Sequence, residues 1–154
     1  YVYLECGYAR GITDGKYKYI ALRFPDEVIE RMKSGDTQYA ANYLDRHKQA
    51  HSQIAIEHFP HYFDPDQFYD LEKDPYEQNN VFDEPGYSEQ VDRLKSALAS
   101  YLDRFEHPYS LDSMPFMNSD RYKELAANTR AIGTDYIAWL PRDHGAIVYP
   151  PKDE

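Results

Sequence analysis

Asp14-Gly15 lies between two runs of strand-forming residues, and it constrains the fold more than any other dipeptide in the chain. A two-residue type I′ hairpin turn needs positive φ, which Asp tolerates and Gly adopts freely, so the dipeptide predicts two antiparallel strands joined at that point. The residues that follow alternate. Tyr17, Tyr19, Ala21 and Arg23 fall on one face, and Lys18, Ile20, Leu22 and Phe24 on the other. Both faces carry large apolar groups, so both are expected to be covered. The predicted hairpin spans residues 2–24.

A second strand is predicted over residues 66–72, where Phe68, Tyr69 and Leu71 are strand formers and Asp70 interrupts them. Asp74-Pro75 stops it, because proline offers no N–H to a ladder and holds its predecessor extended. Asn79-Asn80 can bond their own backbone and mark a turn. Residues 87–105 then read as an amphipathic helix, with Val91, Leu94, Leu98, Tyr101, Leu102 and Phe105 on one stripe and Pro85 suited to the entry.

Between hairpin and second strand, residues 25–60 form a helical insertion. Pro25-Asp26-Glu27 opens a helix with Val28, Ile29 and Met32 on one face, ending at Ser34-Gly35. Asp36 or Thr37 caps a second helix through about His51, with Tyr39, Ala40, Tyr43 and Leu44 as its apolar stripe. The tail, 107–154, is punctuated by prolines. It offers a short helix from Ser119 or Asp120 to Thr129, with Tyr122, Leu125 and Ala126 inward, and an apolar run around Trp139 that anchors it on this domain or another. Arg142, Asp143 and His144 fit a surface loop or a pocket mouth. The expected fold is α+β, a small antiparallel sheet with packed helices.

Two segments resemble the sulfatase family. Gln67-Phe68-Tyr69-Asp70-Leu71-Glu72-Lys73-Asp74-Pro75-Tyr76-Glu77-Gln78-Asn79-Asn80-Val81 is similar to a signature near the C-terminus of sulfatases. Arg10-Gly11-Ile12-Thr13-Asp14-Gly15-Lys16-Tyr17-Lys18-Tyr19-Ile20 resembles the hairpin that precedes it, with Thr13 where the family has a second arginine. With the helix at 87–105, the likeness covers residues 8–106, and 1–106 is taken as the C-terminal subdomain.

The resemblance implies that nucleophile and metal ligands sit in an N-terminal catalytic domain, which is the expected partner of this chain. The parent would cleave sulfate esters of a small molecule or glycan, with formylglycine as nucleophile and calcium as the metal. A periplasmic or secreted location goes with that family. Cys6 is followed by Gly7-Tyr8-Ala9-Arg10 and lacks the proline of the family's Cys/Ser-x-Pro-x-Arg nucleophile motif. No catalytic residue and no metal ligand is therefore assigned here. Arg10 and Lys16 are the nearest basic candidates for contact with an anionic group, against the plainer reading of surface hairpin charges. Two alternatives stay open: a phosphonate or phosphodiester hydrolase of the same superfamily, and a non-catalytic carbohydrate-binding module.

The charge balance narrows the partners. With 27 acidic and 17 basic residues the formal net charge is -10, which disfavours nucleic acid and anionic membrane surfaces and repels sulfated polymers at long range. No run of 18 or more apolar residues is present, so no membrane span is expected. His47 and His51 stand four apart on the expected second helix, near His58 and His61. Lys48 occupies the place a zinc-protease motif gives to Glu, and solvated histidines are the default. Asp64, Asp66 and Asp70 lack the glycine and terminal Glu of a calcium loop. Of the 16 tyrosines, Tyr1, Tyr3, Tyr8, Tyr17 and Tyr19 crowd the first hairpin, where core packing, domain contact or sugar stacking would use them. An exposed apolar patch is expected beside that hairpin.

Overall fold

The computed structural model describes residues 1–34, 59–106 and 109–127. Four strands form one antiparallel sheet in chain order: β1 (Val2–Cys6), β2 (Ala9–Thr13), β3 (Tyr17–Leu22) and β4 (Asp66–Asp70). Among the described residues the helices are α1 (Asp26–Lys33), α2 (Ser88–Leu102) and α3 (120–127), with 3₁₀ turns at Pro85–Tyr87 and Pro115–Asn118. The fold is α+β. The expected second helix of the insertion, with His47, His51 and His58, lies outside the described residues, as do Trp139, Arg142, Asp143 and His144.

The expected single hairpin at 2–24 is a three-stranded meander. Gly7 (φ 53) turns the chain between β1 and β2, so that Cys6 faces Ala9. The second turn is shifted by one residue from the expected type I′ turn. Thr13 faces Lys18, which makes Asp14 and Tyr17 the closing pair and leaves Gly15-Lys16 as the loop. Within it only Gly15 has positive φ (92), whereas a type I′ turn requires two such residues. The cause is the Asp14 side chain: Oδ1 accepts from the backbone N–H groups of Lys16 (2.9 Å) and Tyr17 (2.7 Å). Asp14 thereby works as the residue before the turn.

One sheet face packs on α2. Ile12, Tyr19, Ala21 and Phe68 meet Val91, Leu94, Leu98 and Leu102. Burying each aliphatic side chain of that helix contributes about 1.5–3 kcal/mol relative to leaving it in water. The helical stripe read from the sequence ends one turn early, because α2 stops at Leu102 and Phe105 is 51% exposed. A second cluster joins Leu22, Phe24 and Phe63 to Val28, Ile29 and Met32 of α1 and to Met117, Tyr122 and Leu125. Ser119 caps α3, its Oγ accepting from Tyr122 N–H at 3.3 Å. The other sheet face is covered only in part: Leu22 is buried, Ile20 is half-buried, and Val2 (59%) and Leu4 (41%) are exposed.

The turn after β4 is held by its own side chains. Asp74 Oδ2 accepts from Asn79 N–H (2.7 Å). Glu77, the one non-glycine residue with positive φ (59) among those described, receives Lys18 Nζ on both carboxylate oxygens at 2.8 Å. Asn80 reaches back onto the sheet. Its Oδ1 accepts from Phe68 N–H (2.9 Å) and Phe82 N–H (3.1 Å), while Nδ2 donates to the Asp66 carbonyl (2.9 Å) and Asp64 Oδ2 (3.0 Å).

Candidate functional site

The most polar buried place is the junction of β3, β4 and the segment after α2. Arg23, 7% exposed, follows β3. Its Nε donates to the Asp112 carbonyl (2.8 Å), and Nη2 to Asp66 Oδ1 (2.8 Å) and the Leu111 carbonyl (3.0 Å). Nη1 donates to the carbonyls of Leu22 and Pro65. All five N–H groups of the guanidinium are thus engaged. Asp66 Oδ1 also accepts the Tyr19 hydroxyl at 2.6 Å. Tyr109 donates its hydroxyl to the Tyr8 carbonyl at 2.6 Å, with the Ala21 carbonyl 2.9 Å away. Burial pushes the Tyr109 phenol up to about 12, although Arg23 and Arg10 pull it down. Every group here is matched by a partner, so the junction is a lock between segments and offers no reactive group.

Beside it opens a cleft of about 630 Å³ between the Pro60–Asp66 segment, Lys95 of α2, and α3. Its wall carries the carboxylates Asp64, Asp66 and Asp83 and the ammonium groups Lys95 and Lys123. Asp64 is engaged by His61 Nδ1 (2.7 Å) and Asn80, and Asp66 by Arg23 and Tyr19. Ser113 supplies a wall hydroxyl, and its Oγ accepts from Asn118 Nδ2 at 2.9 Å, an amide that cannot serve as a base. The cleft has no assembled nucleophile and base among the described residues.

Arg10 and Lys16 are not brought together: Arg10 serves the β1–β2 turn, and Lys16 sits in the β2–β3 turn at the other end of the sheet. Arg10 Nη1 donates to the carbonyls of Gly7 and Ala9, both at 2.9 Å. Its Nη2 pairs with Glu5 at 3.0 Å, and the guanidinium lies 4.8 Å from the Tyr109 ring centre. Lys16 pairs with Glu72 at 2.6 Å, and that hydrogen bond raises its pKa above the ordinary lysine value. Each candidate contact residue thus has a carboxylate partner of its own. Thr13, at the position of the second family arginine, closes the turn, its Oγ1 donating to the Tyr17 carbonyl at 2.8 Å.

The rings of Tyr3, Tyr8, Tyr17 and Tyr19 pack on aromatics elsewhere in the fold. Tyr3 stacks on Tyr101 with centres 3.7 Å apart, and Tyr17 stacks on Phe68 at 5.6 Å. Tyr1, Val2, Leu4 and Phe105 are exposed, with Val2 and Leu4 on the sheet face turned away from α2.

Sequence reasoning missed Arg23 as anything more than one member of an alternating face. A charged residue on the face that carries Tyr19 and Ala21 was the available signal, since a buried guanidinium demands partners. Those partners are mainly backbone carbonyls far along the chain, which no residue pattern announces. No protein-family model matches the chain, and no match is found among curated proteins.

Proposed function

We propose that this chain is the C-terminal subdomain of a sulfatase-like hydrolase, completing the fold and one wall of the substrate cleft of a parent that cleaves sulfate esters. One observation carries the reading. The two segments that resemble sulfatases are far apart in the chain yet lie side by side. β3, inside the first, pairs with β4, inside the second, through Lys18–Tyr69, Tyr19–Phe68 and Ile20–Gln67. α2 then covers the face bearing Tyr19 and Phe68, the helix-on-sheet arrangement that the resemblance implies. A likeness spread over two segments that form one hydrogen-bonded unit is harder to obtain by accident than the same likeness in unconnected loops.

The residues described here do not fit the cofactors of such a parent. No three His, Cys, Asp or Glu side chains among them are grouped to hold a metal ion, and Cys6 is an exposed thiol without the nucleophile motif. Calcium and formylglycine belong, on this reading, to the N-terminal catalytic domain, and no chemical step is assigned to this chain.

The test is a substrate comparison on the full-length gene product that contains this segment. Aryl sulfate should be hydrolysed in preference to aryl phosphate, phosphodiester and phosphonate esters. Preference for a phosphorus ester would move the parent to another branch of the superfamily, and no hydrolysis of either class would remove the proposal.

A further inference from the structure

We propose that the groove between β1 and the C-terminal end of α2 binds a small organic monocation, an amine whose charged head is carried on an apolar or aromatic body. The inference is independent of the sulfatase reading and rests on which groups share one side of the sheet. Ile12 and Ala21 pack against α2. In the strand register Tyr3 stands opposite Ile12, Glu5 opposite Arg10, and Arg10 opposite Ala21. Tyr3, Glu5 and Arg10 therefore project from the face that α2 covers. A groove of about 390 Å³ lies there, and Glu106, just beyond α2, reaches it as well. That volume falls in the range of small-molecule sites, about 300–1,000 Å³.

Its apolar walls include Leu98 and Leu102, one helical turn apart on α2, and Phe105, which is half exposed. Three charged groups line it: Glu5, Arg10 and Glu106. Arg10 is already engaged. Its Nη2 pairs with Glu5 at 3.0 Å, its Nη1 donates to the Gly7 and Ala9 carbonyls, and its guanidinium lies over the Tyr109 ring. Glu106 is exposed and has no ion pair among the described residues. Two carboxylates against one guanidinium leave the groove with a single surplus negative charge, beside apolar walls on the same side of the sheet.

That balance selects the occupant. One cationic head matches the surplus carboxylate, whereas an anion would meet both Glu5 and Glu106. A divalent metal ion gains nothing from leucine and phenylalanine walls, and no three His, Cys, Asp or Glu side chains among the described residues are grouped to hold one. A neutral sugar finds little open ring face, because Tyr3 and Tyr101 cover each other at 3.7 Å and Arg10 covers Tyr109 at 4.8 Å. An arylalkyl ammonium uses both halves of the groove. Its body takes the exposed part of Phe105 and the leucine wall out of water. Its head stays partly hydrated beside Glu106, where the Phe105 ring can also attract it.

The experiment titrates the isotope-labelled full chain with phenethylammonium, hydrocinnamate and phenethyl alcohol, which share a body and differ in the head. Methylammonium supplies the head without the body. Phenethylammonium should shift the amide signals of Glu5, Phe105 and Glu106 and bind at least about tenfold tighter than hydrocinnamate. Methylammonium should bind at least about tenfold more weakly than phenethylammonium. Glu106→Gln balances the groove and should bring the three phenyl probes within about threefold of one another. Adding Glu5→Gln leaves Arg10 alone and should turn the preference toward hydrocinnamate. Glu89→Gln, in the first turn of α2, alters the overall charge as much as Glu106→Gln does and should leave the preference unchanged. The Ile12 and Phe68 amide signals report that each variant keeps its fold. Equal binding of the charged and neutral probes, shifts that spare Glu5, Phe105 and Glu106, or a preference that Glu89→Gln reduces as much as Glu106→Gln would overturn the proposal.

Discussion

The Arg23 guanidinium lies 2.8 Å from the Asp66 carboxylate, joining the end of β3 to the start of β4 at a site where both side chains are largely buried. The same arginine donates to four carbonyl oxygens, two of them on Leu111 and Asp112. It is the group through which the segment after α2 is tied to the sheet. Removing it leaves the Asp66 carboxylate without its cation, held by the Tyr19 hydroxyl alone, and several carbonyls without donors, and breaking a buried pair from one side costs about 3–5 kcal/mol. Arg23→Met should therefore lose stability of that order in urea denaturation. Arg23→Lys should recover only a small part, because an ammonium cannot reach five acceptors in one plane. A loss below about 1 kcal/mol would show that water replaces these bonds.

Asn80 is the second lock. Its amide satisfies Phe68 N–H and Phe82 N–H from one oxygen and two further acceptors from one nitrogen. Asn80→Leu keeps the volume and removes every one of those bonds. We expect a loss of about 2 kcal/mol or more, since each buried donor left unmatched costs about 1–3 kcal/mol. Hydrogen exchange at the Phe68 amide should accelerate in the variant while the Ile12 amide stays protected. Unchanged exchange at Phe68 would contradict the assignment.

Stability should also fall in acid through Asp70. Burial works to raise its pKa, but hydrogen bonds from Lys73 and Tyr87 outweigh that and hold the carboxyl below its ordinary value of 3.8. A depressed folded-state pKa gives stability that is fully present above the unfolded value and is lost as pH falls through the folded one. The denaturation midpoint should drop below about pH 4, and Asp70→Asn should flatten that part of the curve. A parallel acid profile in the variant would place the effect elsewhere; Asp14, also lowered, is the next carboxyl to test.

The alkaline side is set by tyrosines. Burial pushes Tyr19, Tyr69 and Tyr122 well above the ordinary phenol value of 10, and Tyr109 up to about 12. Their neutral forms stabilise the fold fully below the unfolded pKa, and that stability is lost as pH rises toward the folded values. Absorbance titration should show these four phenols still neutral after a first step at the ordinary phenol value of 10. A second, cooperative step should coincide with unfolding seen by circular dichroism. A single smooth titration of all 16 tyrosines with the fold intact would contradict the burial described here.

Much of this architecture was legible in the chain because local chemistry dictated it. The stripe from Val91 to Leu102 and the pair Val28–Ile29 with Met32 are buried as their spacing requires. The β2–β3 turn was found one residue out of register, because the pattern shows that Asp14 tolerates positive φ and does not show that its carboxylate will take two amides instead. The Gly7 turn had a signal, one glycine between strand formers, that was simply weaker than Asp14-Gly15. The site was less legible than the fold. Arg10 and Lys16 stand out as hairpin cations, yet each proves paired to a carboxylate brought in by the sheet or its turns. Arg23 looks ordinary in sequence and becomes the best-connected side chain only when Pro65, Leu111 and Asp112 fold around it.

The central claim, that this chain is the tail of a sulfatase, is tested most directly by peptide mapping and intact mass of the natural gene product. The account predicts a polypeptide of about 50–60 kDa, as expected for a protein of several domains, carrying a formylglycine peptide upstream of Tyr1. A native product no longer than these 154 residues, or a longer one without that modified peptide, would contradict it.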